Sequence, residues 1–308
     1  MKILVTGCAG FIGYHLCRRL LSEGYEVHCI DNLCRGIKER VNELISMGLK
    51  FYKIDVRDYT SILKLPNFDA IIHLAALINV EESFREPILY NEVNVNGTLN
   101  LIMTAIKWRV SSFIYASSAA VYGNPKYLPI DENHPTNPLS PYGASKLASE
   151  YYIKSILGHY NIRYVILRLF NVYGPGQVAN EYASVIVKFI DRVSRGLPPI
   201  IYGDGHQTRD FIYIDDVVSA IISSLRTNVQ GVFNIASGKA IKIKDLAEMI
   251  LDLYGKRYLG IIYTKPRPGD IKYSVANIDK AIKNLKWSPK TSLRNGLKNC
   301  IKVREKGG

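Results

Sequence analysis

The sequence predicts an α/β protein with a doubly wound parallel sheet and a smaller second domain near the C-terminus. Through the first half of the 308 residues, short and almost uninterrupted apolar runs alternate with helical segments, which is typical of parallel strands buried on both faces. A glycine-rich turn follows the first run, as in a dinucleotide-binding Rossmann fold. The alternation stops after residues 174–176. We therefore expect a first domain over residues 1–174 and a second over 175–308, with a segment at about 210–240 returning to the first.

Six apolar runs are the predicted strands of this sheet, and right-handed crossovers through the intervening helices would make it doubly wound. The strands are predicted at 2–7, 26–31, 49–56, 70–76, 112–118 and 163–169, with 231–237 as the strand that returns to the sheet. The helices that connect the first six are predicted at 11–23, 88–108 and 142–160.

Composition and charge exclude several classes of function. No apolar stretch reaches the roughly 18 residues that a membrane span needs, and no signal peptide is recognised, so a soluble, cytoplasmic protein is expected. The five cysteines form no C-x-x-C pair and predict reduced thiols, and no histidine lies at metal-ligand spacing, so no metal is expected. The net charge of +13 is scattered without a basic tract, which favours a solvated surface over binding to nucleic acid.

The turn GCAGFIG places Gly7, Gly10 and Gly13 between the first strand and the first helix. This spacing supplies a tight turn, room for the backbone to approach a pyrophosphate, and close packing of helix on strand. Asp31 ends the second strand, where a carboxylate accepts hydrogen bonds from the adenosine ribose and repels a 2′-phosphate. NAD is therefore predicted over NADP, although nearby Arg35 keeps NADP as the alternative because its guanidinium could offset that repulsion.

Two further strand ends carry candidate cofactor contacts. Asp55 and Val56 end the third predicted strand, where a short acidic side chain could meet the adenine amino group; a turn or N-cap aspartate is the alternative. Ala75 and Ala76 end the fourth, where small side chains leave space for a ligand, although simple close packing would also explain them.

Ser117 and Ser118 end the fifth predicted strand, and Tyr142 and Lys146 follow on the next helix. The i, i+4 spacing puts the tyrosine and the lysine on one helical face, which can point at the crevice beyond the strand ends. A lysine cation favours the phenolate of a nearby tyrosine, whose pKa is near 10 when free. This set predicts a tuned general base with a serine hydroxyl that orients a substrate alcohol; an exposed helix face is the alternative.

The motifs GCAGFIG, DNL, HLAA, NVNGT, SSAAVYG, YGASK, RLFNVYGP, TRDFIYIDD and RPGD occur in this order along essentially the whole chain. The sequence thereby resembles the extended short-chain dehydrogenases/reductases, and specifically their UDP-glucose (UDP-galactose) 4-epimerases. This resemblance implies NAD as cofactor, a UDP-sugar as substrate, a role in galactose metabolism, and a homodimer formed through the helices at 88–108 and 142–160. It also implies that Tyr142 takes the proton of the sugar O4 while hydride leaves C4, giving a transient 4-keto sugar.

The resemblance assigns roles by position. Tyr142 matches the catalytic base, Lys146 the residue on the nicotinamide ribose and Ser118 the hydroxyl on the sugar O4. The residues implied to bind the cofactor are Gly7, Gly10, Phe11, Ile12, Gly13, Asp31, Asn32, Asp55, Val56, Leu74, Ala75, Ala76, Asn94, Ser117, Tyr142 and Lys146. Those implied to bind the substrate are Ser118, Tyr142, Asn171, Tyr202, Arg209, Arg267 and Asp270, and the two arginines suit the diphosphate because they bind it bidentately.

Residues that depart from related enzymes bear on the reaction and the substrate. Ala119 and Ala120 stand where the family's sugar dehydratases carry an acidic pair, which favours simple C4 epimerisation. Ile78 replaces a lysine that reaches the cofactor phosphates in many relatives. Ser274 stands where some relatives carry a tyrosine, and it predicts room for an N-acetyl group. The alternatives are an epimerase of UDP-N-acetylglucosamine or UDP-glucuronate, and a non-catalytic NAD-sensing protein.

Overall fold

The computed structural model describes residues 1–178, 184–266 and 271–306. Its strands are β1 (Lys2–Thr6), β2 (Glu26–Ile30), β3 (Lys50–Tyr52), β4 (Ala70–His73), β5 (Ser112–Ser118), β6 (Arg163–Leu169), β7 (Asn171–Tyr173), β8 (Ile200–Tyr202), β9 (Thr208–Tyr213), β10 (Gly231–Ile235), β11 (Ala240–Lys242) and β12 (Ile262–Thr264). Its α-helices are α1 (Phe11–Ser22), α2 (Lys38–Ser46), α3 (Tyr59–Ile62), α4 (Val80–Arg85), α5 (Pro87–Asn91), α6 (Gly97–Trp108), α7 (Pro141–Tyr152), α8 (Val185–Ser194), α9 (Ile214–Arg226), α10 (Ile243–Leu253), α11 (Asp279–Leu285) and α12 (Leu293–Lys306).

The central sheet has seven parallel strands in the order β10-β6-β5-β4-β1-β2-β3. Helices cover both faces, and two large apolar clusters fill the spaces between the helices and the sheet. Strand order reverses next to β1, because β2 lies on one side of it and β4 on the other. The predicted α/β fold with a doubly wound sheet is therefore confirmed, and the crevice at the carboxyl ends of β1, β4 and β5 is where such sheets bind ligands.

The predicted elements differ from the structure mainly in length. The run at 49–56 forms only the three-residue β3, because it lies at the edge of the sheet and pairs with β2 alone. The helix predicted over 88–108 is divided into α5, a π-helical turn at Glu92–Asn96 and α6. A second π-helical turn at Ile153–Leu157 follows α7. Such turns shift the helical register, which apolar periodicity alone does not reveal.

The second half of the chain adds two small sheets to the central one. Strands β11, β9 and β7 form a three-stranded sheet, and β12 pairs with β8. Only β10 of the segment at about 210–240 joins the central sheet, where it pairs with β6. The division into two domains at residue 174 stays a prediction.

A disulfide joins Cys8 to Cys29, so the expectation of five reduced thiols is wrong for this pair. The two cysteines are 21 residues apart in sequence, but Cys8 follows β1 and Cys29 lies on the adjacent β2, with 6.2 Å between their Cα atoms. Sequence spacing does not reveal this contact, because strand pairing creates it. Cys17, Cys34 and Cys300 are free thiols.

Candidate active site

The glycine turn after β1 is shaped by contacts that exclude side chains. Gly7 has a φ of +81°, and a Cβ there would lie 2.9 Å from the Ala75 backbone nitrogen. A Cβ on Gly13 would lie 2.1 Å from the Gly7 carbonyl oxygen. Gly10 is the N-cap of α1, and no described side chain caps this helix or places an acid in its first turn. Phe11 and Ile12 open the helix, so backbone N–H groups and the positive end of the helix dipole face this turn, as phosphate binding requires.

Asp31 follows β2 and links this turn to the next loop. Its Oδ2 accepts a hydrogen bond from the Ala9 N–H at 3.0 Å, and its Oδ1 accepts one from the Leu33 N–H at 2.8 Å. Arg35 does not pair with Asp31 but forms an ion pair with Glu82. The carboxylate of Asp31 keeps further acceptor sites, as the predicted contact with a ribose needs.

Asn32 and Asp55 lie together on the side of the predicted adenine site. The Asn32 Nδ2 donates to Asp55 Oδ2 at 2.8 Å, and Arg57 Nη2 donates to the same oxygen at 2.8 Å. The hydrogen bonds from Arg57 chiefly lower the pKa of Asp55 to about 2. Asp55 is thus a charged acceptor that is already held by its neighbours, which supports the turn interpretation at least as well as the adenine contact. Val56 is buried and lies against Gly97 at the start of α6.

The end of β4 is tied to β1 and to α6. Thr6 Oγ1 accepts hydrogen bonds from the backbone N–H groups of Leu74 and Ala75 at 3.1 and 3.0 Å. His73 is buried and bonded to Thr6 and to Thr98, and burial lowers its pKa to about 3. It is a neutral packed residue of the strand. Leu74, Ala75 and Ala76 follow at the carboxyl end, with Ala75 against the Gly7 turn.

Asn94, in the π-helical turn before α6, is buried and fixed by three hydrogen bonds. Its Nδ2 donates to the Leu77 carbonyl at 3.0 Å and to Ser145 Oγ at 2.9 Å, and its Oδ1 accepts from the Leu77 N–H at 2.8 Å. It thereby connects the end of β4 to α7. The same helix carries Tyr142 and Lys146.

Ser118 and Tyr142 are brought together by the start of α7. Ser140 caps the helix by accepting from the Gly143 N–H, and Pro141 occupies the first helical turn. A Cβ on Gly143 would lie 2.7 Å from the Ala120 carbonyl oxygen, so the glycine lets the helix approach the turn that follows β5. Ser118 is the N-cap of that turn.

Tyr142 and Lys146 are both buried, with 9% and 3% of their surfaces exposed. Burial raises the pKa of Tyr142, and a hydrogen bond with Ser118 opposes this. The Lys146 Nζ donates to the Ala116 carbonyl at 2.8 Å and lies 4.7 Å from the centre of the Tyr115 ring. Burial lowers the pKa of Lys146 to about 7, and Glu150 opposes this. The expected lowering of the Tyr142 pKa by Lys146 is wrong for the protein alone, because burial dominates at both groups.

Ser117 faces away from the crevice and into the core. It is 3% exposed, and its Oγ donates to Glu150 Oε1 at 2.6 Å. Neighbouring residues of a strand point to opposite faces, so Ser117 and Ser118 diverge. A side-chain contact from Ser117 to the cofactor is not what this geometry favours.

The other predicted substrate residues that the structure describes lie on strands of the second half. Asn171 opens β7, directly after β6, and its Nδ2 donates to the Asp210 carbonyl at 2.9 Å. Arg209 lies on the adjacent β9, and its guanidinium donates to the Thr208 carbonyl at 2.8 Å and to the Ile271 carbonyl at 2.5 Å. Tyr202 ends β8 and is 40% exposed. Arg267 and Asp270 lie outside the described residues.

Two buried carboxylates that support the site were not predicted. Asp210 accepts hydrogen bonds from Ser237, Gly238 and Ala276, and so fixes the strand that carries Arg209. Glu150 lies one turn beyond Lys146 and accepts from Ser117 and Arg168. The 142, 146, 150 spacing on one helix would have been a signal for Glu150.

The chain is similar to known proteins over nearly its whole length. Residues 4–300 match the family model described as GDP-mannose 4,6 dehydratase. A curated relative, the putative UDP-glucose 4-epimerase of Methanocaldococcus jannaschii, is 41% identical over 97% of both chains. The UDP-glucuronate 4-epimerase of Thermodesulfobacterium geofontis is 35% identical over 97% of this chain and 94% of its own.

Three solved structures are also similar. The UDP-glucose 4-epimerase of Thermotoga maritima, with UDP-glucose, has a TM-score of 0.95 at 36% identity and covers 100% of this chain and 99% of its own. The UDP-N-acetylglucosamine 4-epimerase of Methanobrevibacter ruminantium, with UDP-N-acetylmuramic acid, has a TM-score of 0.94 at 37% identity and the same coverage. The UDP-glucose 4-epimerase of Thermus thermophilus, with NAD, has a TM-score of 0.90 at 33% identity and covers 99% of both chains. The chain therefore belongs to the GDP-mannose 4,6-dehydratase family of extended short-chain dehydrogenases/reductases.

Proposed function

We propose that the protein is an NAD-dependent UDP-glucose/UDP-galactose 4-epimerase. The protein is an isomerase, a UDP-sugar 4-epimerase that uses NAD. Its similarity to such enzymes over nearly its whole length supports this reaction class. The observation that carries the proposal is that Ser118, Tyr142 and Lys146 lie at the carboxyl edge of the sheet, two strands from the glycine turn.

The residues of the crevice fit NAD. The turn at Gly7 and Gly13 excludes any Cβ, and the start of α1 offers backbone N–H groups to a diphosphate. Asp31 offers a carboxylate for ribose hydroxyls, while Arg35 is engaged by Glu82 and does not offset its charge. This arrangement supports NAD over NADP. When bound, NAD supplies the acceptor that takes hydride from a sugar carbon and later gives it back.

The chain itself supplies the proton chemistry. Ser118 lies close enough to the Tyr142 hydroxyl to oppose the effect of burial on its pKa, so a sugar hydroxyl placed beside them would meet both a proton acceptor and an orienting donor. Burial raises the pKa of Tyr142 in the protein alone. A cationic Lys146 favours the phenolate, so proton transfer from a sugar hydroxyl to Tyr142 depends on the charge of Lys146. Removal of the O4 proton in this way opens the route to the 4-keto sugar.

Ala119 and Ala120 favour epimerisation over dehydration. They form the short turn directly after Ser118, close to Gly143 on α7. Elimination of water from a sugar needs a further acid and base, and neither alanine can supply one. The family name therefore does not imply dehydratase activity for this chain.

The direct test is incubation of the purified protein with UDP-galactose and NAD, followed by separation of the UDP-sugars. We expect conversion to a mixture of UDP-galactose and UDP-glucose, and no conversion by Tyr142→Phe. UDP-glucuronate and UDP-N-acetylgalactosamine are measured in parallel. Turnover of only one of these would replace the proposed substrate by that sugar, and NAD binding without turnover of any would favour an NAD-sensing protein.

Ser274 supports an extension of the substrate range to N-acetyl sugars. It is 8% exposed and its N–H donates to Thr208 Oγ1 at 3.3 Å, so it lies beside the strand that carries Arg209. A serine there is much smaller than the tyrosine of some relatives. We infer that UDP-N-acetylglucosamine is accepted as well, which UDP-N-acetylgalactosamine turnover would test.

The proposed enzyme is a homodimer. Ile88 on α5 is 75% exposed and Tyr151 on α7 is 59% exposed, so both helices of the predicted interface present large apolar side chains at the surface. Met103 and Tyr152 extend these exposed faces. A mass of about twice 34.7 kDa by light scattering is expected, and a monomeric mass would contradict the dimer. No helix in the described part of the chain is long and apolar enough to cross a membrane.

A further inference from the structure

Glu150 on α7 is a fully buried carboxylate that is hydrogen-bonded to side chains from two strands. It accepts hydrogen bonds from Ser117 Oγ at 2.6 Å, from Arg168 Nε at 2.9 Å and from Arg168 Nη2 at 2.6 Å. Ser117 on β5 and Arg168 on β6 are direct partners in the strand register, so both donors lie side by side under the helix. The carboxylate therefore clamps α7 onto the carboxyl ends of these two strands.

The clamp extends to a third strand through Arg168. The guanidinium lies 4.7 Å from the centre of the Tyr122 ring, and the Tyr122 hydroxyl donates to Asn234 Oδ1 on β10 at 2.6 Å. A buried ion pair contributes little net stability, because desolvation offsets much of the attraction between the charges. Its location one turn from Lys146 suggests a role in the chemistry instead.

Glu150 is the anion whose charge acts on Lys146 from one helical turn away. Positions 142, 146 and 150 succeed each other by one helical turn, and Glu150 is the group that raises the pKa of Lys146 against burial. Among the residues that the structure describes, the other neighbours add no second anion. They are Tyr115 from β5, neutral His73 from β4 and Tyr142 from α7 itself, with Arg168 and Lys154 as the cations that contact Glu150.

We propose that Glu150 and Arg168 are positioning residues for the epimerase reaction. The pair holds α7 in the register that places Tyr142 and Lys146 against Ser118, and its carboxylate maintains the charge on Lys146. This inference rests on the proposed function for its catalytic consequences. The effect of Glu150 on the charge of Lys146 does not depend on the proposed function and can be tested without substrate.

Removing the anion and removing the cation of the pair should shift the titration of Lys146 in opposite directions. Glu150→Gln leaves Arg168 uncompensated, so Lys146 should lose its proton about one pH unit lower than in the wild type. Arg168→Met leaves the carboxylate uncompensated, so Lys146 should hold its proton to a higher pH by a similar amount. Glu150→Asp and Arg168→Lys keep each charge and are the controls, with Lys146 near its wild-type titration. A pair whose charges do not act on Lys146 would not give shifts of opposite sign.

The titration is read by NMR on protein labelled with ¹³C and ¹⁵N in lysine, without added sugar, and the Lys146 signal is identified by its loss in Lys146→Met. The alkaline limb of kcat is measured on the same variants and should move with the NMR titration. If the wild type converts no UDP-sugar, the proposed function fails while the NMR titration still tests the pair.

Shifts in the same direction, or no shift in folded variants, would overturn the proposal. Glu150→Gln and Arg168→Met each test one direction of the shift in the Lys146 titration. If one of these variants does not fold, the other still tests the proposal. If neither folds, the neutral double variant Glu150→Gln/Arg168→Met decides by its kcat, which should fall about tenfold with KM nearly unchanged because the clamp is lost. An unchanged kcat in that variant would contradict the positioning role.

Discussion

The two walls of the proposed active site are built differently. The wall formed by β1, β4, β5 and α7 carries Tyr142 and Lys146, which are buried and bonded to neighbouring backbone and side chains. The opposite wall carries Asn171 and Tyr202 at the ends of three-residue strands, where both are exposed. Fixed geometry is needed where a proton moves, whereas a substrate must enter and leave on the other side.

This difference predicts different consequences of mutation. Changes in the buried wall should alter the rate of chemistry and the stability of the fold. Changes in the exposed wall should alter which sugar is bound and how tightly.

Tyr142→Phe removes the hydroxyl that we propose as the proton acceptor, and we expect kcat to fall about a thousandfold. The fold should be retained, because the phenyl ring still packs against Leu77 and Tyr90. Tyr151→Phe is the matched control: this tyrosine lies on the same helix but is exposed, and kcat should be unchanged. Equal losses in the two variants would contradict the assigned role of Tyr142.

The buried lysine predicts a pH-dependent stability. The folded-state pKa of Lys146, about 7, lies below its ordinary value of 10.5, so the unfolded chain binds more protons between these pH values. Stability therefore rises with pH across this window, and the cost of the buried charge is complete below about pH 7. Lys146→Met removes this cost. Its free energy of unfolding relative to the wild type should decrease by about 4 kcal/mol from pH 6 to pH 10.

Urea unfolding at several pH values measures this difference. Lys107→Met, at an exposed lysine on α6, is the control for loss of a surface charge. A constant difference for Lys146→Met would show that Lys146 is charged at the same pH in both states.

The disulfide reinforces the cofactor side of the buried wall. Cys8→Ser/Cys29→Ser should lower the free energy of unfolding by about 3 kcal/mol, because the unfolded chain regains the freedom of the closed loop. Denaturation of the wild type with a reductant should give the same loss, and the double variant should not respond to the reductant. Cys34→Ser, at an exposed free thiol, serves as the control. Unchanged stability of the double variant would show that the bond contributes nothing.

Arg209→Ala in the exposed wall should raise KM for the UDP-sugar by about ten- to hundredfold, because it removes the charged hydrogen bonds that we propose Arg209 makes to the diphosphate. We expect kcat to change little. Arg209→Lys should be intermediate, since it keeps the charge without the bidentate geometry. Arg195→Ala, at an exposed arginine after α8, is the control for loss of surface charge. A fall in kcat at constant KM would place Arg209 on the chemical side instead.

Ser274→Tyr should distinguish sugars rather than abolish activity. We expect turnover of UDP-N-acetylgalactosamine to fall about tenfold while that of UDP-galactose stays within about twofold, because the larger side chain occupies the space for the N-acetyl group. Ser274→Ala should leave both rates unchanged. Parallel losses for both sugars would indicate that Ser274 does not discriminate between them.

Much of the buried wall could be predicted from the sequence. Gly7, Gly13, Ser118, Tyr142 and Lys146 lie at fixed short spacings within single strand–turn–helix units, and local chain geometry is enough to bring them to the sheet edge. The exposed wall was harder to predict from the sequence. Arg209 is positioned by the pairing of β9 with β7 and β11, strands that are far apart in sequence.

The sequence predicts the α/β class, the positions of the main strands along the chain, the glycine turn and the tyrosine–lysine pair, because apolar runs and short spacings are local properties of the chain. The folded structure sets the remaining features. It joined Cys8 to Cys29, turned Ser117 towards Glu150, and raised rather than lowered the pKa of Tyr142. Strand neighbours and depth of burial set these outcomes, and both arise only when distant segments pack together.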